Sequence, residues 1–209
     1  MTVTPVTCNN RYMNTRRDEL ISKSLDYFLR HGVAGLSLRP LAEGIGTSAR
    51  MVVYHFESKD GLITTVMDEV RARIQKSFAR VMMDTRKKPA AHLMRAFWTW
   101  MIHPSNVQYL RLLFEVQVLA IQNPVRYARY MERTSSGWLD IIESCLPPSK
   151  EKRVFATLCT AVIDGLLLEY LSTRDKQRTT KALEAFIWLM KNRESAPESK
   201  GGGKHRGKK

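Results

Sequence analysis

From about residue 15 to 193 the apolar residues recur at helical spacing, and no alternating strand pattern lasts beyond a few residues. Leu20, Ile21, Leu25, Phe28 and Leu29 trace one face of a first helix, which His31-Gly32 stops. Ser37 is placed to cap a short second helix running to about Gly44, Gly46 makes a turn, and Ser48 begins a third helix through about Phe56. Ser58 then caps a fourth that runs unbroken to about Thr85. Pro89, Pro104, Pro124 and Pro147-Pro148 divide the remainder into helical blocks near 90–102, 106–122, 125–145, 150–173 and 177–192. The expected fold is all-α, about nine helices in two lobes.

Two short helices joined by a tight glycine turn, behind a longer supporting helix, form a helix-turn-helix. Leu38, Leu41 and Ile45 pack inward from the second helix, and Met51 or Val52 from the third. That leaves Ser48, Ala49, Arg50 and Val53 on the open face, where the start of the second helix of such a motif meets base edges in the major groove. Arg50 is the side chain there that can pair with O6 and N7 of a guanine. Alone, it reads equally as a solvated surface arginine.

The stretch Leu36–Leu62 resembles the DNA-binding domain of TetR-type transcriptional regulators. The matching residues are Ser37, Leu41-Ala42, Ile45-Gly46-Thr47-Ser48 and Tyr54-His55-Phe56, followed by Lys59 and Leu62. Arg50 stands where that family often has glycine, and Gly44-Ile45-Gly46-Thr47-Ser48 departs from its usual turn. The resemblance implies that Ser37, Thr47, Ser48, Ala49, Arg50 and Val53 face DNA, and that Tyr54, His55 and Lys59 touch phosphates. It also implies an N-terminal three-helix helix-turn-helix domain over 15–62 and a C-terminal helical domain for ligand binding and dimerisation over 63–193. The protein it describes is a repressor released from its operator by a small hydrophobic effector.

Charge fits this reading without proving it. The net formal charge of +14 favours polyanions, whether nucleic acid or an anionic membrane face. Eight basic residues and only Asp84 lie between Arg71 and Arg95, either as a solvated face or as a long-range steering field. Val154–Leu168, the best candidate for a membrane span, is interrupted by Thr157, Thr160 and Asp164, and the N-terminus lacks the apolar middle of a signal peptide. No membrane partner and a cytoplasmic location are expected. Cys8, Cys145 and Cys159 suit neither a disulfide framework nor a zinc site. No phosphate loop, nucleophile elbow or metal-spaced cluster is present, so neither an enzyme nor a cofactor is expected. A charge-driven, non-specific nucleic-acid binder is the alternative, and an enzyme a more distant one.

The second lobe is dense in aromatics and methionines. Phe97, Trp98, Met101, Tyr109, Leu113, Phe114, Val118, Met131 and Trp138 fill a core or line an effector pocket, and the resemblance favours a pocket between the fourth and seventh helices. Glu115, inside an apolar run, either pairs with Arg111 one turn back or faces that pocket. Asp164 poses the same question. Its neighbour Gly165, which costs about 1 kcal/mol relative to alanine in a helix, favours a close helix–helix approach between protomers. A homodimer is expected through Leu158, Val162, Leu166, Leu167, Leu183, Phe186, Ile187 and Met190, with a palindromic double-stranded operator. Residues 1–14, where Met13 is a second candidate start, read as a disordered arm, and 194–209 as a flexible basic tail.

Overall fold

The computed structural model describes residues 7–85, 88–144, 146 and 148–194, with the side chains of 7–14, 82, 84–85, 129, 133–138 and 193–194 excluded. Among the described residues there are nine helices and no strands. They are α1 (Thr7–His31), α2 (Leu38–Gly44), α3 (Ala49–Phe56), α4 (Lys59–Thr85), α5 (Ala90–Met101), α6 (Pro104–Gln122), α7 (Ala128–Ser144), α8 (Lys152–Thr173) and α9 (Lys176–Glu194). The basic tail beyond 194, together with Arg86, Lys87 and Cys145, lies outside the described residues.

Helix α1 begins at Thr7, inside the stretch expected to be a disordered arm. Extending an existing helix adds a hydrogen bond per residue without a new nucleation cost, so polar residues ahead of Leu20 join it despite lacking apolar period. It ends where predicted. Gly32 takes φ 74° and its amide bonds Phe28 O at 2.8 Å. Gly46 supplies another left-handed position, φ 70°, in the turn between α2 and α3.

The caps agree in two cases of three. Ser48 accepts from the Met51 amide at 3.2 Å, and Ser58 from the Gly61 amide at 3.0 Å. Ser37 holds the cap position of α2, but its side chain makes no capping bond. Pro104 sits in the first turn of α6, where no intrahelical donor is needed, and His103 Nδ1 accepts the Ser105 amide at 3.3 Å.

One core runs through both lobes. Leu20, Leu25, Phe28, Leu41 and Val52 are fully buried in the head, and Leu112, Val116, Leu167 and Leu183 are buried in the second lobe. Helix α4 joins them: Leu62, Ile63, Val66, Met67, Val70 and Ile74 are all buried. Its 27 residues make a rod of roughly 40 Å at about 1.5 Å per residue.

Helix α8 corrects one expectation. Despite Thr157, Thr160 and Asp164, its most apolar 18-residue window has a mean hydropathy of 1.7, enough in length and composition to cross a membrane. Only 22% of that window is buried within the protomer. Ala156, Cys159, Ile163 and Leu167 face the core, while Val154, Leu158 and Leu168 are exposed.

Candidate DNA-reading surface and ligand cavity

The head presents α3 outward. Val52 and Phe56 are its buried residues, and Met51 is the exposed member of the pair that sequence left open. Arg50, Val53 and Tyr54 stand out from the surface, Tyr54 most of all at 65% exposure. Ser48 is exposed, its hydroxyl spent on the cap. Thr47 is half-buried in the turn, and Ala49 is half-buried against the core. Ser37, free of a capping bond, and Arg39 on the following turn of α2 are both exposed beside this surface. Arg39 was not singled out from the sequence, where one arginine in a short helix carries no signal.

Two of the residues assigned to phosphates point elsewhere. His55 is half-buried, and its Nε2 is shut off from solvent without a hydrogen-bond partner. Lys59 reaches back across the head and donates from Nζ to Leu36 O at 3.0 Å. Leu36 lies in the loop entering α2, so Lys59 ties the reading helices to the start of α4. A cation at a helix N-terminus is disfavoured by the macrodipole, and the carbonyl offsets this. Next to it, Asp60 accepts from Tyr127 OH at 2.8 Å and pairs with Arg126 at 3.2 Å. Burial, and then the Asp60 bond, hold the Tyr127 phenol well above its ordinary pKa.

The second lobe holds a partly open cavity of about 390 Å³. Helix α5 lends Phe97 and Met101; α6 lends Leu110, Leu113, Phe114 and Gln117; α7 lends Met131, Leu139 and Ile142. Helix α8 closes it with Thr157, Thr160, Ala161, Ile163, Asp164 and Leu167. A smaller apolar hollow of about 140 Å³ adjoins it behind Phe97, Ile142 and Ile163 and reaches Cys159, whose thiol burial pushes up.

Phe97, Met101, Leu113, Phe114 and Met131 therefore lie where a pocket was expected, and Trp98, Tyr109, Glu115 and Val118 do not. Trp98 turns to α9 and donates to Thr180 Oγ1 at 3.0 Å. Trp100, by comparison, donates to Ser77 Oγ on α4 at 2.9 Å. Tyr109 is directed to Arg73 of α4, Val118 is 53% exposed, and Trp138 lies outside the described side chains. Glu115 is on the far face of α6. It pairs with Arg111 at 2.7 Å and accepts the Val33 amide at 2.8 Å, while Arg111 also donates to Leu29 O at 2.9 Å. These two side chains clasp the end of α1 and the loop after it.

For Asp164 the sequence left pairing and pocket both open, and the residue lines the cavity. The residue keeps accessible surface at the open side of the cavity, while desolvation by the protein around it pushes its carboxyl pKa up to about 6. The signal was present. Thr157, Thr160 and Asp164 recur at three and four residues on one side of an otherwise apolar helix.

The residues expected at a protomer contact divide between core and surface. Leu167, Leu183 and Ile187 are buried inside the protomer, and Leu166 packs partly against its core. Val162, Phe186 and Met190 are half-buried, whereas Leu158 is exposed as expected. Val154, Leu168, Trp188 and Leu189 join it in an outward apolar face, and a Cβ built at Gly165 would meet no described atom within 4 Å outside its own stretch of helix. The basic stretch from Arg71 to Arg95 is partly neutralised, with Arg71 paired to Asp68, Arg73 to Glu69 and Arg95 to Glu184.

Residues 20–66 match the family model of bacterial regulatory proteins, tetR family. The chain is 26% identical over 165 residues to the HTH-type transcriptional regulatory protein RaaS of Mycobacterium tuberculosis, covering 76% of this chain and 73% of RaaS. Among solved structures it superposes on a TetR-family transcriptional regulator from Cytophaga hutchinsonii with a TM-score of 0.71 at 13% identity, covering 87% of this chain and 96% of that one. The multidrug binding protein EbrR complexed with proflavin gives a TM-score of 0.60 at 22% identity, over 83% of this chain and 99% of EbrR.

Proposed function

We propose that the chain, whose residues 20–66 match the tetR family model, is a DNA-binding regulator that grips a two-fold symmetric operator as a homodimer and lets go when a small apolar molecule fills the 390 Å³ cavity. In this reading it acts as a repressor, in the cytoplasm where a bacterial chromosome lies. Arg50 reads a base, Val53 and Tyr54 meet the groove wall and backbone, and Ser37 and Arg39 hold phosphates. The exposed faces of α8 and α9 form a four-helix contact with the second protomer, which covers the apolar surface around Gly165.

The observation that carries the effector reading is the two-sidedness of α6. Leu110, Leu113, Phe114 and Gln117 face the cavity, while Arg111 and Glu115 on the same turns clasp Leu29 and Val33 of the head. A molecule that displaces α6 must strain or carry that clasp. It can shift the protein from DNA only by binding the released arrangement more tightly, and DNA must then weaken the molecule by the same factor. EbrR, similar in fold, is known with proflavin in complex, which supports a ligand-binding use of this architecture.

Recovery of bound fragments from sheared genomic DNA tests the operator. A shared site of two-fold symmetry, its half-sites one helical turn or a multiple apart, is the expected result. Fragments with no common sequence that are displaced by bulk DNA would leave only charge-driven binding.

A further inference from the structure

We propose that Asp164 makes the cavity a receptor for organic cations: molecules with an apolar body about the size of a fused tricycle and one positive charge. This rests on the effector reading above and names the class of molecule that the cavity selects.

Among the described residues lining the cavity, Asp164 is the one that can carry a charge. Its polar companions are Gln117, Thr157 and Thr160, all neutral, and among the described side chains of α5, α6 and α7 no lysine, arginine or histidine lines the cavity. No ion pair to Asp164 occurs among the described residues. This is unlike the other acidic groups at the lobe boundary: Glu115 is matched by Arg111, Asp60 by Arg126 and Glu184 by Arg95. A carboxylate facing an apolar hollow without a counter-charge is costly to keep ionised, and its raised pKa expresses that cost. A cation entering the hollow removes it.

The rest of the lining suits the same occupant. Phe97 and Phe114 bring aromatic rings to the lining and Met101 and Met131 polarisable side chains, groups that suit a diffuse positive charge. Anions meet the opposite condition, since they bring a second negative charge into a site with no donor cation. The hollow is also large enough for the purpose, because pockets for small organic ligands run from about 300 Å³ upward. Helix geometry explains why a charge is tolerated on so apolar a helix. Thr157, Thr160 and Asp164 stand between the core face of α8 (Ala156, Ile163, Leu167) and its outward face (Val154, Leu158, Gly165), so the carboxylate needs to enter neither packed surface.

The test uses the full chain and two probes that share one ring system: 9-aminoacridine, a cation at pH 7.5, and acridine, its neutral parent at that pH. Binding is followed by probe fluorescence for wild type, Asp164→Asn, Asp164→Glu and Ala161→Trp, the last of which fills the hollow. The expected result is that Asp164→Asn weakens 9-aminoacridine at least tenfold and changes acridine less than about twofold, that Asp164→Glu restores the cation preference, and that Ala161→Trp blocks both. Equal binding of 9-aminoacridine to wild type and Asp164→Asn, with Ala161→Trp still blocking, would overturn the cation assignment and leave the effector reading intact. Failure of both probes to bind wild type, or binding unaffected by Ala161→Trp, would remove this cavity as the ligand site and the proposal with it. Thermal melts of each variant exclude loss of fold as the cause.

Discussion

The Val33 amide donates to Glu115 Oε2 at 2.8 Å, joining residues 82 positions apart and the two lobes of the protein. Gly32 makes the approach possible: a Cβ built there would stand 2.7 Å from the same oxygen, on a backbone already at φ 74°. Glu115→Ala leaves the Val33 amide and the Arg111 guanidinium without their acceptor, at an expected cost of about 1–3 kcal/mol in urea unfolding. The functional outcome is more diagnostic. If the clasp transmits the response, a ligand that releases wild-type protein from its operator still binds Glu115→Ala but shifts its operator affinity far less. An unchanged shift would place the transmission elsewhere.

Arg50 and Arg39 separate by their dependence on sequence and salt. Arg50→Ala should lose about 1–3 kcal/mol at one operator position and relax preference there. Arg39→Ala should weaken all DNA sequences alike and lower the slope of log K against log salt by roughly 1. Titrations of a set of single-base operator variants at three salt concentrations read both effects.

Lys59 was expected to behave like Arg39, and its bond to Leu36 O predicts otherwise. Lys59→Met should lower the stability of the head by about 1 kcal/mol, in the range of a net hydrogen bond, while the salt slope of DNA binding stays at its wild-type value. A slope reduced by a full unit with no change in melting would return the lysine to the phosphate backbone.

Asp164 gives stability a definite pH dependence. Its carboxyl rises from 3.8 to about 6 on folding, so the folded state holds the proton more tightly. Its contribution is fully present below pH 3.8, declines as pH rises, and is lost above about pH 6. The melting temperature of Asp164→Asn relative to wild type should therefore climb between pH 4.5 and 7 and then level off. A constant difference across that range would mean that the carboxylate is solvated in the folded protein.

The protomer contact can be mapped by a pair of substitutions on one helix. Leu158→Arg, at a residue 43% exposed, should yield a folded monomer in sedimentation with DNA affinity much reduced. Leu167→Ala, at a residue 1% exposed, should leave the association state alone and cost about 2–5 kcal/mol of stability through the void it opens.

The helix boundaries were readable because glycine, proline and serine act on backbone geometry within one or two residues. Gly32, Ser48, Ser58 and Pro104 each terminate or start a helix where their chemistry requires. The reading face of α3 was legible for the same reason, since Val52 and Phe56 alone satisfy the inward spacing of so short a helix. Elsewhere, helical period was ambiguous. Trp98 and Phe97 are both apolar neighbours on α5, but only the indole N–H needs a polar partner, and Thr180 supplies it from a helix 82 residues away. Period likewise cannot tell which apolar stripe of α8 meets its own core, because Val154–Leu158 and Ile163–Leu167 have the same spacing. Glu115 illustrates the limit best. Its pairing with Arg111 follows from the one-turn separation, whereas its grip on Val33 depends on a fold that brings α6 against the end of α1.

The two indoles of α5 tie that helix on opposite sides, Trp98 to α9 and Trp100 to α4. One wall of the cavity is thereby grounded, and mechanical work done by an occupant goes to the wall opposite, where α6 holds the head. If the cavity holds the effector, selectivity and response come from different helices. Substitutions at Phe97 or Met101 would then retune which molecules fit without touching the linkage to DNA, whereas a change at Leu113 or Phe114 would alter both together. A lineage descending from such a regulator would have a direct route to new inducers through α5, with its operators left unchanged.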